Sequence, residues 1–340
     1  MERAIMCPQC NAPLTPHRFA RSIVCAYCGA TVFLEEETIS ASKFHEAFQI
    51  WNTPETYGTA SWISIGDNHW SVDRLLSAGE TCDVFAGRRA RWPTELVVLK
   101  AARKKQDTPL LEREWEALKQ LQASETPGGE TFLALIPQPV RHGISTGGLC
   151  IGQTVNIYRW ASGFYHTAAD VINAYPQGIP PRASIWIWRR ILELLSFIHT
   201  SNMAHGAIVP SHLLIQENDH GVRLVGFSRA GRKGQSIEAA AGQDKKYYPD
   251  TTQMEGRLSN QLDIVMSARC IIALLGGNPA DGSIPDTVPE LLVNTIRRTA
   301  MAKSNDPDCQ DAWAIREELG HIANMVFGPP QFIPIIMPNH

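Results

Sequence analysis

Apolar residues recur at helical spacing in three stretches of this chain, which has 340 residues. In residues 185–200 the apolar positions share one helical face: Ile187, Ile191, Leu194, Leu195 and Ile198. The same criterion predicts helices over residues 110–121 and 40–51, since an apolar residue every three or four positions marks the buried stripe of a helix. The prolines at positions 176, 180 and 181 are expected to break the chain just before the first of these stretches.

Short runs of β-branched and other apolar residues predict strands elsewhere. The pattern becomes strand-like from His69, and compact runs follow at Leu96–Lys100 and Val155–Trp160. Two further short strands are expected near residues 23–24 and 31–33.

Composition and charge narrow the class of protein. Hydrophobic residues make up 44% and charged residues 19%, as in a soluble globular protein. A net charge of −3 gives no basic footprint, so nucleic acid is an unlikely partner. The apolar run Cys270–Leu275 is too short for a membrane span, and the first residues carry no apolar signal core. We therefore expect a cytoplasmic protein without a membrane contact.

Four of the eight cysteines fall in two C-x2-C pairs near the start of the chain, separated by 14 residues. The pairs are Cys7 with Cys10 and Cys25 with Cys28, a spacing that closes one tetrahedral thiolate site around zinc. Two disulfides or four free thiols are the alternatives, but the cytosol disfavours disulfides. Four thiolates leave no open position, so the zinc is expected to be structural and to supply folding energy.

The segment around these pairs resembles a zinc ribbon. The other four cysteines are scattered singly, and the sequence predicts them to be small buried apolar residues: Cys82, Cys150, Cys270 and Cys309.

Three features follow in order after residue 68. A segment with the pattern of a glycine-rich loop keeps Gly79 and Val84 but has Ser77 and Cys82 at the flanking glycine positions. An apolar strand then ends in Lys100, and the predicted helix over residues 110–121 carries Glu114. A plain hairpin explains the loop taken alone, and a surface lysine explains Lys100 taken alone.

Two further boxes follow the buried helix. Residues 205–214 fit the pattern H-R-D-L-x-P-x-N-L-L, with Ala207 in place of the aspartate and His212 in place of the asparagine. Residues 226–228 fit the pattern D-F-G, with Gly226 in place of the aspartate. The framing residues are retained, and Asp263 opens a later helical segment.

This ordered series resembles bacterial serine/threonine protein kinases over about residues 68–325. The resemblance implies an α+β, bilobal protein-kinase-like fold preceded by a small β zinc ribbon. It divides the chain into a zinc ribbon (1–36), a linker with a short helix (37–67), an N-lobe (68–160), a C-lobe (161–327) and an extended tail (328–340). It also predicts helices over 166–175, 289–301 and 309–325, and it gives Asp263 the architectural task of holding the catalytic-loop backbone.

The same resemblance bears on chemistry. Phosphoryl transfer needs carboxylates for the metal ions and for the attacking hydroxyl, and Ala207 and Gly226 supply neither. Imidazole at His212 is a poor match for magnesium. We therefore expect a catalytically impaired pseudokinase that acts as a scaffold or regulator. Gly79, Val84, Lys100 and Glu114 remain candidates for binding ATP without magnesium.

Two alternatives stay open. The first is an unconventional active kinase or nucleotidyl transferase that uses ATP through Lys100 and Glu114. The second is a zinc-ribbon recognition module on a non-catalytic scaffold. By resemblance alone, the expected partners are proteins with von Willebrand-type domains or PPM-type phosphatases.

Overall fold

The computed structural model describes residues 5–6, 13–14, 22–25, 31–33, 61–89, 95–126, 129–161, 163–216, 220–237, 242–249 and 256–337. The chain divides into two compact units. The first unit comprises residues 1–33, 120–136 and 162–340, and the second comprises 34–119 and 137–161. The helix expected over residues 40–51 lies outside the described residues, and the domain limits inferred from the sequence stay a prediction.

Two short antiparallel pairs open the chain. Strand β1 (Ile5–Met6) pairs with β2 (Pro13–Leu14), and β3 (Ser22–Val24) pairs with β4 (Thr31–Phe33). The second pair lies where the sequence predicts two short strands, which confirms that expectation.

A seven-stranded antiparallel sheet forms most of the second unit, in the order β10-β5-β6-β7-β8-β11-β9. Its strands are β5 (Trp62–Ile65), β6 (Asn68–Ala78), β7 (Cys82–Arg89), β8 (Leu96–Ala102), β9 (Pro139–Ile144), β10 (Gly147–Gly148) and β11 (Thr154–Arg159). The sheet starts earlier than the sequence predicts, at β5 rather than His69. The sheet also curls, so that β9 and β5 approach each other although they are not neighbours in the strand order. A Cβ atom at Gly143 of β9 would lie only 2.6 Å from the Ile65 side chain of β5.

Alternating residues of these strands build the core of the second unit. Side chains of successive strand residues point to opposite faces, so every second position can be buried. The buried cluster consists of Ile63, Ile65, Trp70, Val72, Phe85, Val97, Leu99, Ala101, Val155 and Ile157. Helix α1 (Thr108–Gln122) begins in this unit, and its residues Leu111 and Leu118 are buried as its spacing predicts.

Helices dominate the first unit. The described residues contain seven α-helices in all: α1, α2 (Gly129–Leu133), α3 (Ala168–Ala174), α4 (Pro181–Thr200), α5 (Asn260–Leu274), α6 (Glu290–Ala300) and α7 (Ala312–Phe327). Trp188 of α4 donates a hydrogen bond from Nε1 to Ser267 Oγ of α5 at 3.0 Å, which joins the two most buried helices. No helix in the described ranges is long and apolar enough to cross a lipid bilayer.

Small strands complete the first unit. The strands are β12 (His166–Thr167), β13 (Met203–Ala204), β14 (Leu213–Ile215), β15 (Val222–Leu224) and β16 (Gly231–Arg232). They form a three-stranded sheet, β12-β14-β15, and the pair β13-β16. Short 3₁₀ turns occur at residues 105–107, 210–212, 227–229, 242–247 and 307–309.

Several expectations require correction. The helix expected over residues 166–175 begins at Ala168, because Thr167 is extended and caps it by accepting a hydrogen bond from the Asp170 amide. Pro181 does not break the chain; it occupies the first helical position of α4, where its missing N–H costs nothing. Cys270 and Cys309 are buried as expected, whereas the two cysteines of the second unit, at positions 82 and 150, are only partly buried.

Candidate functional site

A buried ion pair joins strand and helix in the second unit. Lys100 lies on β8 and Glu114 on α1, and the distance from Lys100 Nζ to Glu114 Oε2 is 2.6 Å. The exposed fractions of the two side chains are 11% and 2%. The structure therefore brings together the two residues on which the nucleotide-site prediction most depends. Their role in binding nucleotide stays a prediction.

The pair keeps Lys100 charged. Burial alone would lower the pKa of this ammonium group, but the adjacent Glu114 carboxylate outweighs it and the net pKa is raised. The neighbouring Cys82 thiol has a raised pKa, chiefly because it is buried. The site thus holds one fixed positive charge beside one fixed negative charge, an arrangement that is costly to break from either side.

A polar network extends this pair in a way that the sequence pattern did not reveal. The Asn156 side-chain amide donates to the Tyr158 hydroxyl at 2.8 Å and to the Leu111 carbonyl at 2.8 Å. The pKa of Tyr158 lies well above its usual value, first because of burial and then because of the Glu114 carboxylate, to which its hydroxyl is also hydrogen-bonded. Asn156 also accepts a bond of 2.7 Å from the ring of His142. The one hint in the sequence was Asn156 itself, a polar residue within an otherwise apolar strand, which indicates a buried hydrogen-bonding partner.

The loop that resembles a glycine-rich loop is a tight hairpin turn. Its backbone amide at Gly79 donates to the Cys82 carbonyl at 2.9 Å, so this N–H is used within the turn. Arg103 fixes the turn from outside, with its guanidinium donating to the Gly79 carbonyl at 2.9 Å. Val84 is directly opposite Lys100 in the pairing of β7 with β8. A phosphate-binding loop needs several free backbone amides, so this turn is expected to bind a phosphate group only weakly.

Asp263 organises the backbone of the loop 205–214 in the first unit. This carboxylate is fully buried, and its two oxygens accept hydrogen bonds of 2.8 Å from the amides of His205 and Gly206. His199 contributes a further contact of 3.0 Å from its Nε2. The arrangement matches the architectural task that the sequence assigns to Asp263, because a buried carboxylate satisfied by backbone amides fixes their positions.

His205 is held as a neutral structural side chain. Its Nδ1 accepts from the amide of Ala207 at 3.2 Å, and its Nε2 lies 3.1 Å from the Val225 carbonyl. These partners assign the proton to Nε2. The ring packs edge-on against Phe227, with 4.5 Å between the ring centroids. His205 therefore connects the two degenerate boxes by packing and hydrogen bonding.

His212 fills the space beside Gly226. The His212 Nδ1 donates to the carbonyl of Ala207 at 2.8 Å, which fixes the ring. Gly226 has a φ of +80°, in the left-handed region that side chains rarely adopt. A Cβ atom at Gly226 would lie only 2.5 to 2.6 Å from three atoms of the His212 ring. The two replacements are thus packed against each other, and the ring excludes a side chain at position 226.

The described part of the chain contains no cluster of three or more His, Cys, Asp or Glu side chains placed to hold a metal ion. In the ribbon, Cys25 directly follows β3 and is buried, whereas Cys7, Cys10 and Cys28 lie outside the described residues. A buried thiol at the end of a short hairpin and three more in C-x2-C spacing form a donor set that suits zinc.

One family of known proteins matches the start of the chain. The family is described as the PriA DNA helicase Cys-rich region (CRR) domain, and it matches residues 7–32, which include all four paired cysteines. No curated protein is significantly similar to the chain. The match covers the ribbon alone. The chain therefore carries an N-terminal zinc ribbon, and the described residues that follow it are mixed α+β, with a curled antiparallel sheet and seven helices.

Proposed function

We propose that this chain is a pseudokinase, a bilobal protein-kinase-like scaffold or regulator that does not transfer phosphate. Its support is the order of features along the chain and the contacts they make. The strand lysine meets the helix glutamate at 2.6 Å, and Asp263 binds the backbone of the loop 205–214. These two contacts are what the structure offers in support of a kinase-like architecture.

The packing of His212 against Gly226 is the observation that carries the proposal. Metal-dependent phosphoryl transfer needs a carboxylate at the metal position to hold the ions that bridge the phosphates. Here the backbone is left-handed at position 226 and a fixed imidazole occupies the adjoining space. If a carboxylate side chain had simply been lost from position 226, an empty space would remain beside Gly226. The His212 ring fills that space, which supports a fold adapted to the absence of the carboxylate.

Nucleotide binding forms the second part of the proposal. A charged lysine beside a glutamate offers one cation to a phosphate group, and ATP that binds in this way does so without magnesium. The tight turn at Gly79 adds few free amides, so the affinity is low.

Thermal unfolding with ATP tests this proposal. We expect any stabilisation by ATP to be the same in EDTA as in magnesium or manganese. Lys100→Met removes the ATP-dependent shift, whereas Lys105→Met, at an exposed position three residues beyond β8, retains it. A shift that requires magnesium or manganese would contradict the proposal and favour the unconventional kinase or nucleotidyl transferase.

The zinc ribbon supports a second candidate function. Its match is to a Cys-rich region of a DNA helicase, and we propose that this module acts in recognition. The chain offers few basic residues there, namely Arg3, His17, Arg18 and Arg21, so we propose protein contact rather than nucleic acid. Proteins with von Willebrand-type domains or PPM-type phosphatases remain the proposed partners. Loss of partner binding in Cys7→Ser, with no ATP-dependent shift in the wild type, would favour this candidate.

A further inference from the structure

A cavity of about 380 Å³ opens between α4, α7 and the extended segment that follows α7. Its size is within the range of small-molecule sites. Apolar walls come from Trp186 and Phe327, and Gly320 lies on the α7 side. Two arginines of α4 line it, Arg182 and Arg189. The cavity belongs entirely to the first unit, and none of the proposed nucleotide-binding residues takes part in it.

Arg189 forms no salt bridge in the described part of the chain, although the carboxylates of Glu193 and Glu317 act on it from a greater distance. Its buried Nε atom makes no hydrogen bond, and its guanidinium lies near the Trp186 ring, 6.0 Å from the centroid. Burial lowers the pKa of Arg189, and the nearby positive charge of Arg316 lowers it further, whereas the two carboxylates raise it in part. A partly buried guanidinium without a hydrogen-bonding partner is unusual, because arginine presents a fork of donors that normally meets oxygen atoms.

The neighbouring arginines are already engaged. Arg316 donates to Glu193 Oε1 at 2.9 Å and also contacts Glu317. Arg182 donates to Gln331 Oε1 at 2.7 Å and to the Phe327 carbonyl, so it fixes the segment after α7 to the cavity edge. Arg182 and Arg189 are seven residues apart on α4, which separates them by roughly 10 Å along the helix axis. Arg182 and Arg316 already have hydrogen-bonding partners, so an anionic group that enters the cavity is expected to pair with Arg189.

We propose that this cavity binds a small organic anion that pairs its carboxylate or phosphate oxygens with Arg189 and packs a flat apolar body against Phe327 and the prolines that follow α7. The guanidinium fork suits the paired oxygens of either group. The aromatic and proline walls account for the apolar body. Gly320 lies next to the Arg189 side chain, because a Cβ atom there would be 3.8 Å from the guanidinium carbon, in ordinary van der Waals contact.

Ligand-observed NMR with the full chain tests this site, with benzoate and phenyl phosphate as the probes. Benzyl alcohol serves as the neutral probe of similar shape and inorganic phosphate as the anion without an apolar body. We expect saturable millimolar binding of at least one aromatic anion and weaker binding of both control probes. The preference between benzoate and phenyl phosphate then identifies the anionic group.

Two variants and a control locate the site. Arg189→Gln weakens binding of the aromatic anion by about tenfold or more, the loss expected for a charge-assisted hydrogen bond. Gly320→Leu fills the cavity while improving helix propensity, so it abolishes binding in a chain that still folds. Arg113→Gln, at an exposed position of α1, leaves binding unchanged. The absence of saturable binding, equal binding of benzyl alcohol, or unchanged binding in Arg189→Gln would overturn the proposal.

Discussion

The kinase resemblance gives position 226 to a metal-binding carboxylate, and placing one there by Gly226→Asp is expected to destabilise the protein. Gly226 has a φ of +80°, and a side chain in the left-handed region costs about 1–2 kcal/mol. The new Cβ atom would also lie 2.5 to 2.6 Å from the His212 ring, well inside van der Waals contact. Overpacking of this kind adds about 1–3 kcal/mol. The total loss in the free energy of unfolding is therefore about 2–5 kcal/mol.

A double-mutant cycle separates the two contributions. In a His212→Ala background the ring is absent, so Gly226→Asp pays the backbone term but not the overpacking term. The two substitutions are then coupled by about 1–3 kcal/mol, with the double variant more stable than additivity predicts. His321→Ala provides a matched control, since this exposed histidine of α7 has no contact with position 226 among the described residues.

Urea denaturation followed by far-UV circular dichroism supplies the free energies for this cycle. Costs that add within experimental error would show that the His212 ring does not exclude a side chain at Gly226. A Gly226→Asp variant as stable as the wild type would refute both the backbone and the packing terms. Either result would remove the observation that carries the pseudokinase proposal.

Three further predictions address other parts of the molecule. Lys100→Met is expected to cost about 3–5 kcal/mol, because it leaves a buried Glu114 carboxylate unpaired, and Lys100→Met/Glu114→Leu recovers most of that loss in urea denaturation. Burial lowers the pKa of His220 to about 4, so the folded state binds this proton more weakly than the unfolded state. Stability therefore falls as pH drops from about 6.5 to 4, by at most about 3 kcal/mol, and His220→Asn removes that part of the pH profile. Native mass spectrometry is expected to find one zinc per chain, absent in Cys25→Ser, and a strong chelator unfolds the ribbon without melting the remaining chain.

The ordered motifs allowed specific local features to be predicted. The apolar run before Lys100 is a strand because β-branched and leucine residues fit a buried central position. The helix after it was visible from its apolar spacing, and the kinase resemblance paired its Glu114 with the lysine, which the structure brings to 2.6 Å. The resemblance likewise gave Asp263 the task of holding the backbone of the loop 205–214, and its carboxylate accepts hydrogen bonds from the amides of His205 and Gly206.

Other features depend on contacts between distant residues and could not be predicted in this way. The kinase resemblance placed Gly226 and His212 at metal-binding positions, but it did not show that the His212 ring occupies the space beside Gly226. Nor did it show that Arg103 closes the turn at Gly79, because this bond spans 24 residues. Pro181 was expected to break the chain because helix interiors exclude proline, whereas the first helical position tolerates it.

Transfer of labelled γ-phosphate from ATP tests the central claim most directly. The full chain is incubated with labelled ATP, magnesium and manganese, alone and with a general acceptor protein, beside the Lys100→Ala variant and a protein-free blank. The account predicts no label on the chain or the acceptor above the blank. Metal-dependent labelling by the wild type that Lys100→Ala abolishes would contradict it and establish an active transferase.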